Sequence, residues 1–195
     1  MKTGFMGGSF DPPHMGHLIV AADVKKQLQL DELVFIPTAV SPFKNGQTTV
    51  SGWDRIAMLR LALGDAPGFS VCSFEVEKGG TSYTADTVHW ILNVSPYKKH
   101  ECCFLVGADS LINFDAWRNP EWILDHIKVV AVSRPGFDKE SIAPGLQQRI
   151  QWIEAPLVDV SSSQIRHLKQ QALSINFYVP DAVARYIDEK GLYHS

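Results

Sequence analysis

The sequence predicts an α/β protein built on a doubly wound parallel sheet with helices on both faces. Short apolar segments alternate along the chain with longer segments of helical periodicity, which is the pattern of buried parallel strands joined by crossover helices. The 195 residues, 45% of them hydrophobic and 20% charged, suffice for a sizeable core. We therefore expect one domain over residues 1–195, with a helical C-terminal portion from about residue 161.

Each predicted strand is a short apolar run that is followed by a glycine, a proline or a polar segment. The second is Leu33–Ile36, and Pro37 ends it because proline cannot donate a backbone hydrogen bond to a neighbouring strand. Runs that are apolar on both faces are typical of a sheet covered on both sides. The predicted strands are, in chain order, residues 2–6, 33–36, 69–76, 103–106, 129–132 and 150–153.

Helical spacing of apolar residues, as in Leu59 and Leu63, separates these runs. The serines at 161–163 predict a helix start, since a serine hydroxyl readily accepts hydrogen bonds from the first free N–H groups of a helix. Pro180 begins a last helix and Gly191 ends it, as the two residues' preferences for helix starts and ends favour. The remaining predicted helices span 15–30, 52–64 and 85–94, and the predicted loops span 38–50 and 134–145.

Composition and charge exclude several classes of protein. The formal net charge is −3, so we expect neither a nucleic-acid partner nor a membrane-binding basic surface. No apolar run approaches the length of a membrane span, and the first residues lack the apolar core of a secretory signal. Cys72, Cys102 and Cys103 have no metal-ligand or Cys-x-x-Cys spacing, which favours a reducing, cytoplasmic location. The oligomeric state is left open.

The most informative segment is 7–17, Gly-Gly-Ser-Phe-Asp-Pro-Pro-His-Met-Gly-His. It lies between a predicted strand and a predicted helix, where free N–H groups and the positive end of the helix dipole face one point. Glycines there let the backbone approach a ligand closely, and His14 and His17 enter the same first helical turn. The segment therefore predicts a phosphate cradle, in which Asp11 fixes the turn.

A second group of possible anion ligands comes at Ser161-Ser162-Ser163-Gln164-Ile165-Arg166. Hydroxyls and free N–H groups would gather at a helix start, with Arg166 in the first turn. A serine cap followed by an arginine is, however, more often structural than functional. On the residues alone, the segment is either a cap or a second phosphate site.

Several catalytic classes find no support in the sequence. It contains no GxxxxGK[ST], GxGxxG or Gly-x-Ser-x-Gly string, which argues against a P-loop, a dinucleotide fingerprint and a hydrolase nucleophile elbow. His14 and His17 could belong to a zinc site, but no third ligand has suitable spacing. Nucleotidyl transfer fits better, because an attacking phosphate oxygen is already anionic and the reaction needs phosphate-binding groups rather than a strong base.

The segment 7–17 resembles the signature of the HxGH nucleotidylyltransferase superfamily, which His14-Met15-Gly16-His17 matches. The preceding Gly8-Ser9-Phe10-Asp11-Pro12 is most similar to the nicotinate-nucleotide adenylyltransferase family, and further motifs follow in the family's order as far as Arg166. The resemblance implies a Rossmann-like nucleotidylyltransferase fold. It also implies that ATP and nicotinate mononucleotide react to give deamido-NAD and pyrophosphate, with Mg²⁺ delivered by ATP.

The resemblance assigns the phosphate-handling residues to separate segments. Ser161–Arg166 resembles the family's ISSTxIR motif, with Val160 and Ser163 replacing the usual isoleucine and threonine. Lys44 follows Ser41-Pro42-Phe43 instead of the family's Pro-Pro-His, and on the residues alone it is a solvated loop lysine. The implied catalytic residues are His14, His17, Lys44 and Arg166. The implied ATP contacts are Gly7, Gly8, Ser9, Phe10, His14, Gly16, His17, Arg134, Ser161, Ser162, Ser163 and Arg166.

Two further motifs are implied to bind the mononucleotide. Residues 81–87 resemble the family's SYT-x-x-T segment, where helix-start N–H groups suit a carboxylate; on the residues alone they form an ordinary cap. Residues 107–110 with Trp117 resemble a G-x-D-(x)-W arrangement, in which the aspartate accepts from ribose and the tryptophan stacks on the pyridine ring. The implied substrate-binding residues are Tyr83, Thr84, Gly107, Asp109 and Trp117.

Two alternatives stay open at this point. The chain could be another adenylyl- or cytidylyltransferase of the superfamily, such as a phosphopantetheine adenylyltransferase. It could also be a module that binds nucleotides as a sensor and turns none over. Substrate choice would separate the first alternative from the favoured interpretation, and pyrophosphate release would separate the second.

Overall fold

A computed structural model describes residues 1–42 and 49–194 of the chain. Six parallel strands form one sheet in the order β3-β2-β1-β4-β5-β6. The strands are β1 Lys2–Gly8, β2 Glu32–Pro37, β3 Phe69–Val71, β4 Glu101–Gly107, β5 Lys128–Ser133 and β6 Gln151–Glu154. The strand order runs one way from β1 to β3 and the other way from β4 to β6, which confirms the predicted doubly wound sheet. In such a sheet, ligands bind at the carboxyl edge where the order reverses, here between β1 and β4.

Eight α-helices accompany these strands in the described part of the chain. They are α1 Met15–Gln27, α2 Gly52–Leu63, α3 Phe74–Lys78, α4 Thr84–Asn93, α5 Pro120–His126, α6 Pro144–Arg149, α7 Ser162–Gln170 and α8 Asp181–Glu189. The predicted helices are confirmed within a few residues at their ends. The sequence analysis did not predict α3, α5 or α6, each of which spans two turns or fewer.

The predicted strand over residues 69–76 is wrong in its second half. The strand β3 ends at Val71, and Phe74–Lys78 forms α3 instead. The amide of Cys72 still donates to the carbonyl of Phe35 at 2.9 Å. In a parallel ladder the next donor would be the amide of residue 37, which is Pro37 and has no N–H. Because the ladder stops there, the following residues are free to turn into a helix.

Each face of the sheet packs against its own apolar cluster. Val34 and Ile36 of β2 face a cluster that includes residues of α4 and α5, whereas Leu33 and Phe35 face a cluster that includes residues of α1. This alternation is the period of two expected of a strand. Both faces are buried, which explains why the strand appears in the sequence as a continuous apolar run.

The C-terminal helices α7 and α8 pack beside the sheet rather than on it. Their apolar residues join Met58 of α2 in a third cluster, which includes Ile165, Val183 and Ile187. This packing brings the start of α7 next to the start of α1, as the next subsection describes. In the described part of the chain, no helix is long and apolar enough to cross a membrane.

Candidate active site

Two neighbouring cavities open at the carboxyl edge of the sheet, where β1 and β4 diverge. The first cavity has a volume of ≈ 610 Å³ and lies between the ends of β1, β4 and β5 and the starts of α1 and α7. The second cavity has a volume of ≈ 410 Å³ and extends toward the start of α4. Residues that line both cavities are Gly7, Gly8, Ser9, Leu105, Val106, Gly107 and Ser110. Two ligands bound side by side would therefore meet at the ends of β1 and β4.

The predicted histidine pair lies together in the first cavity. His14 is the N-cap residue of α1, and its ring stacks on that of His17 with 3.7 Å between the ring centroids. The backbone amide of His14 donates to Nδ1 of His17 at 3.2 Å. Because Nδ1 is the acceptor of this hydrogen bond, the neutral form of the His17 ring carries its proton on Nε2.

The His14 ring is buried and electrically neutral at neutral pH. Its exposed fraction is 6%, and burial lowers the pKa of His14 to about 4 because the charged imidazolium would lose its hydration. Its Nδ1 has no hydrogen-bond partner in the described part of the chain. Gly16 makes room for this ring, since a Cβ at that position would lie 3.0 Å from Nδ1 of His14.

The start of α7 completes the first cavity. Ser161 caps the helix, its hydroxyl accepting from the amide of Gln164 at 3.2 Å. Ser162 and Arg166 bind the glycine–histidine segment itself: the Ser162 hydroxyl donates to the carbonyl of Pro12 at 2.8 Å, and Arg166 donates to that of Asp11 at 2.7 Å. The serine–arginine segment is thus both a cap and part of the cavity wall.

Asp11 holds three distant parts of the chain together and does not line the cavity with a free carboxylate. Its Oδ2 accepts from the amide of Thr49 at 2.8 Å, and its Oδ1 accepts from the Tyr193 hydroxyl at 2.7 Å. Burial and the neighbouring carboxylate raise the pKa of Tyr193, so this hydroxyl keeps its proton and remains a donor. The side chain of Asp11 was expected to fix the local turn, whereas its carboxylate contacts join the turn to distant segments.

Arg55, which the sequence analysis did not identify, fixes the wall that the cavities share. It is fully buried, and its guanidinium donates to the carbonyls of Ser9 and Thr38, each at 2.6 Å. These two carbonyls follow β1 and β2. A buried charge needs such acceptors, so Arg55 sets the relative position of the two strand ends.

Asp109 and Arg134 lie on the far side of the first cavity. Both side chains are largely exposed, with 3.6 Å between Arg134 Nη2 and Asp109 Oδ2. Arg134 was expected to contact ATP, and it does line this cavity. Asp109 was expected to bind the mononucleotide, but it lines the first cavity and not the second. The ribose of a mononucleotide in the second cavity would therefore contact Asp109 only where the two cavities meet.

The second cavity contains the other residues expected to bind a mononucleotide. Tyr83 is the N-cap residue of α4, and its carbonyl accepts from the amides of Asp86 and Thr87, so the amides of Thr84 and Ala85 have no carbonyl of a preceding turn to bond. Trp117 is half-buried and also lines this cavity, with 5.0 Å between its ring centroid and that of Phe114. The guanidinium of Arg118 lies 5.0 Å from the centroid of the Tyr83 ring. The cavity thus combines an aromatic face with free helix-start donors.

Glu75 also lines the second cavity, although no sequence motif pointed to it. Its exposed fraction is 5%, and Oε1 accepts from the Thr87 hydroxyl at 2.6 Å, while Oε2 has no partner in the described part of the chain. Burial raises the pKa of Glu75 against the opposing effects of the nearby Thr87 and Ser82 hydroxyls. No local motif marks this residue, because it reaches the cavity through the helix that replaces the predicted strand.

The structure does not test two of the expectations, namely a phosphate-binding Lys44 and Mg²⁺ delivered with ATP. Lys44 lies outside the described residues. Within the described ranges, no group of three or more His, Cys, Asp or Glu side chains is arranged to hold a metal ion. The three cysteines carry free thiols.

Comparisons with known proteins agree with this geometry. Residues 5–168 match the family model described as cytidylyltransferase-like. A protein of Dehalococcoides mccartyi named "Probable nicotinate-nucleotide adenylyltransferase" is 41% identical over 200 residues, covering 100% of this chain and 98% of the relative. One of Geobacillus kaustophilus with the same name is 38% identical over 192 residues, covering 98% and 86% of the two chains. The nicotinic acid mononucleotide adenylyltransferase of Plasmodium falciparum, solved in complex with NaAD, superimposes with a TM-score of 0.78 at 17% identity, covering 99% and 98% of the chains.

Proposed function

The chain belongs to the cytidylyltransferase-like family and, within it, to the nicotinate-nucleotide adenylyltransferases, and we propose that it joins ATP and nicotinate mononucleotide to form deamido-NAD and pyrophosphate. The observation that carries the proposal is the pair of cavities sharing one wall at the ends of β1 and β4. One cavity suits a triphosphate, and the other suits an aromatic ring with an anionic substituent. Adenylyl transfer needs such an arrangement, since two anionic substrates must be held in contact.

The first cavity would bind ATP with its Mg²⁺ as one substrate. The start of α1 would direct the Gly16 amide and the helix dipole at the phosphates, since the Met15 and His17 amides donate to the carbonyls of Tyr178 and His14, each at 2.9 Å. The Ser161–Ser163 segment would contribute in the same way from α7. The Nε2–H of His17 would donate to the α-phosphate, while neutral His14 supports the His17 ring by stacking. Arg166 adds a cation at the edge of the cavity, and Arg134, which also lines it, would meet the outer phosphates.

The reaction itself is an in-line displacement at the α-phosphorus of ATP. A phosphate oxygen of the mononucleotide forms the new P–O bond, and the bond to the β-phosphate bridging oxygen breaks as pyrophosphate leaves. The nucleophile is anionic already, so no side chain has to remove a proton from it. The protein's contribution is positioning and stabilisation of the charge that develops on the α-phosphate oxygens, a role that we assign to His17.

The second cavity would hold the nicotinate ring. Trp117 offers a stacking face, and the first amides of α4, beginning with Thr84 beside Tyr83, would receive the carboxylate. Gly107 carries no side chain at the shared wall, so the sugar and phosphate can pass toward the first cavity. Asp109 would accept hydrogen bonds from ribose hydroxyls there. On the family resemblance, Lys44 would bind phosphate from the loop after β2.

The proposed setting is the cytoplasm, where both substrates and a reducing environment are expected. Burial raises the pKa of the Cys103 thiol to about 11, and it also raises those of Cys72 and Cys102. These thiols are therefore mostly protonated and behave as packing residues rather than as a redox pair.

A pyrophosphate-release assay with a panel of acceptors tests the proposed function. The purified protein is incubated with MgATP and, in parallel, with nicotinate mononucleotide, phosphopantetheine or no acceptor. Pyrophosphate should appear with nicotinate mononucleotide in a one-to-one ratio with deamido-NAD. Release with phosphopantetheine instead would favour the related adenylyltransferase, and binding of ATP without release in any reaction would favour a sensing module.

A further inference from the structure

Glu75 places a carboxyl group beside the cavity that is proposed to receive a carboxylate. Its side chain is buried at the edge of the second cavity, with Oε1 held by Thr87 and Oε2 without a partner in the described part of the chain. Thr87 lies in the first turn of α4, so Glu75 packs against the same helix start that offers the free amides. An unpaired buried carboxylate is costly, and a second anion bound next to it would add repulsion.

The hydroxyl of Thr38 strengthens the case for a polar ligand at this position. It lines the second cavity as well, and it also lacks a hydrogen-bond partner in the described ranges. Two unpaired buried polar atoms in one cavity are unusual in a folded protein. Together with the free amides of α4, they define a surface whose hydrogen bonds are completed when a ligand binds.

We propose that Glu75 is a specificity-determining residue: it takes up a proton when the carboxylate of nicotinate mononucleotide binds at the start of α4, and its Oε2–H then donates a hydrogen bond to that carboxylate. The inference rests on the proposed function. The proton comes from solvent and no covalent bond other than the new O–H is formed. The proton offsets the negative charge that the ligand carboxylate brings, so the net charge of the site does not change. An amide substituent needs no such uptake, because it can donate to the ionised carboxyl or accept from the protonated one.

The surroundings of Glu75 support an easily protonated group. Burial is the dominant influence and raises its pKa, whereas the charges of Lys78 and Arg55 lower it. Lys78 forms an ion pair with another carboxylate, since its Nζ lies 2.7 Å from Oδ2 of Asp86 in α4. Arg55 is directed at two backbone carbonyls rather than at Glu75. The remaining ionisable neighbours, Cys72 and Glu77, supply no positive charge that would hold Glu75 ionised.

The variant Glu75→Gln separates this role from a purely structural one. Glutamine has the same shape, still accepts from Thr87, and presents a permanent donor where Glu75 needs a proton. We expect kcat/KM for nicotinate mononucleotide to decline less with rising pH in this variant than in the wild type. The ratio of variant to wild type should rise toward about tenfold per pH unit once Glu75 is ionised in the free wild-type enzyme. The KM for ATP should not change.

Two further variants guard the interpretation. Glu77→Gln removes one negative charge from the exposed side of the same helix, and its ratio to the wild type should stay flat with pH. Thr87→Val removes the hydrogen bond that favours the charged form of Glu75. The pKa of Glu75 should therefore rise further, and this variant should use nicotinate mononucleotide up to a higher pH than the wild type does. This last measurement keeps the proposal testable if Glu75→Gln does not fold.

The outcomes distinguish failure of the inference from failure of the proposed function. If the wild type releases pyrophosphate with nicotinate mononucleotide but the Glu75→Gln ratio is flat with pH, or the folded variant is inactive at every pH, the proton-uptake role is wrong. If the wild type does not use this mononucleotide at any pH, the proposed function itself is wrong. A ratio that rises with pH for Glu75→Gln and not for Glu77→Gln supports the inference.

Discussion

The starts of α1 and α4 present the same backbone feature to the two cavities, yet their side chains differ in charge. The first turn of α1 contains no acidic residue and lies beside two imidazoles, one of which is held neutral by burial. The first turn of α4 contains Asp86 and packs against Glu75. A helix start surrounded by neutral and cationic donors favours any phosphate, whereas one with acidic neighbours discriminates between ligands by their hydrogen-bonding groups.

Among the variants that test this difference between the two cavities, His17→Ala at the start of α1 should have the largest effect on turnover. Removing one donor to a developing oxyanion typically costs about 3–4 kcal/mol of activation free energy, so turnover should fall at least roughly a hundredfold. Single-turnover formation of deamido-NAD measures this effect, with circular dichroism as the control for folding. Near-normal turnover in a folded variant would mean that the backbone of α1, and not the imidazole, stabilises the α-phosphate.

The two regions should also respond to pH with opposite signs. The pKa of His14 is about 4 in the folded protein and about 6.5 when unfolded, so its contribution to stability is lost as the pH falls from 6.5 to 4. The loss amounts to about 3 kcal/mol. The raised pKa of Glu75 favours folding at low pH, and that contribution disappears as the pH rises through its folded value.

Urea unfolding of the wild type and of His14→Gln across this range isolates the histidine, because all other groups titrate in both proteins. The difference between their free energies of unfolding should change by about 3 kcal/mol between pH 7 and pH 4. A difference that is constant with pH would contradict the buried, neutral state of His14.

Arg166 should matter to the first cavity alone and should have an intermediate effect. Arg166→Lys keeps the charge but loses the planar guanidinium, whose two terminal nitrogens donate to the Asp11 carbonyl and to the Ser163 hydroxyl at the same time. We expect the KM for ATP to rise roughly tenfold, as for loss of one charged hydrogen bond, and to rise further in Arg166→Ala. The KM for nicotinate mononucleotide serves as the internal control. ATP titrations of both variants that match the wild type would assign Arg166 a purely structural role.

Trp117 should give the smallest effect, confined to the second cavity. An aromatic stacking partner contributes about 0.5–1.5 kcal/mol beyond its buried area, so Trp117→Ala should raise the KM for the mononucleotide about threefold to tenfold. Trp117→Phe should restore most of the loss, and ATP binding should be unaffected. Equal loss in both variants would indicate that the indole N–H, rather than stacking, carries the contact.

The two regions also differ in how much of them could be predicted from the sequence. The first cavity is formed largely by residues that are close in sequence to the helix starts at which they act, namely glycines, histidines and a serine cap. The second depends on Glu75, which reaches the cavity because Pro37, on another strand, lacks the N–H that would have extended β3. The link between Asp11 and Tyr193 likewise joins residues 182 positions apart, and no local pattern indicates it.

The fold was more accessible to prediction than the site. Alternating apolar runs and helical spacing identified all six strands, because a sheet buried on both faces leaves a strong signal in the sequence. The helices α5 and α6 were missed although Pro120 and Pro144 stand at their starts. They are too short for periodicity to distinguish them from loops.

The most direct test of the difference between the two cavities is the ratio of kcat/KM for nicotinate mononucleotide to that for nicotinamide mononucleotide at pH 7. The free amides of α4 can donate to both oxygens of a carboxylate, whereas a carboxamide offers them one oxygen and leaves a buried donor unpaired. The ratio should therefore favour nicotinate mononucleotide by at least about tenfold, and it should persist in Trp117→Ala because stacking serves both rings. Equal efficiencies would contradict the assignment of the α4 start as a carboxylate site, even with adenylyl transfer established.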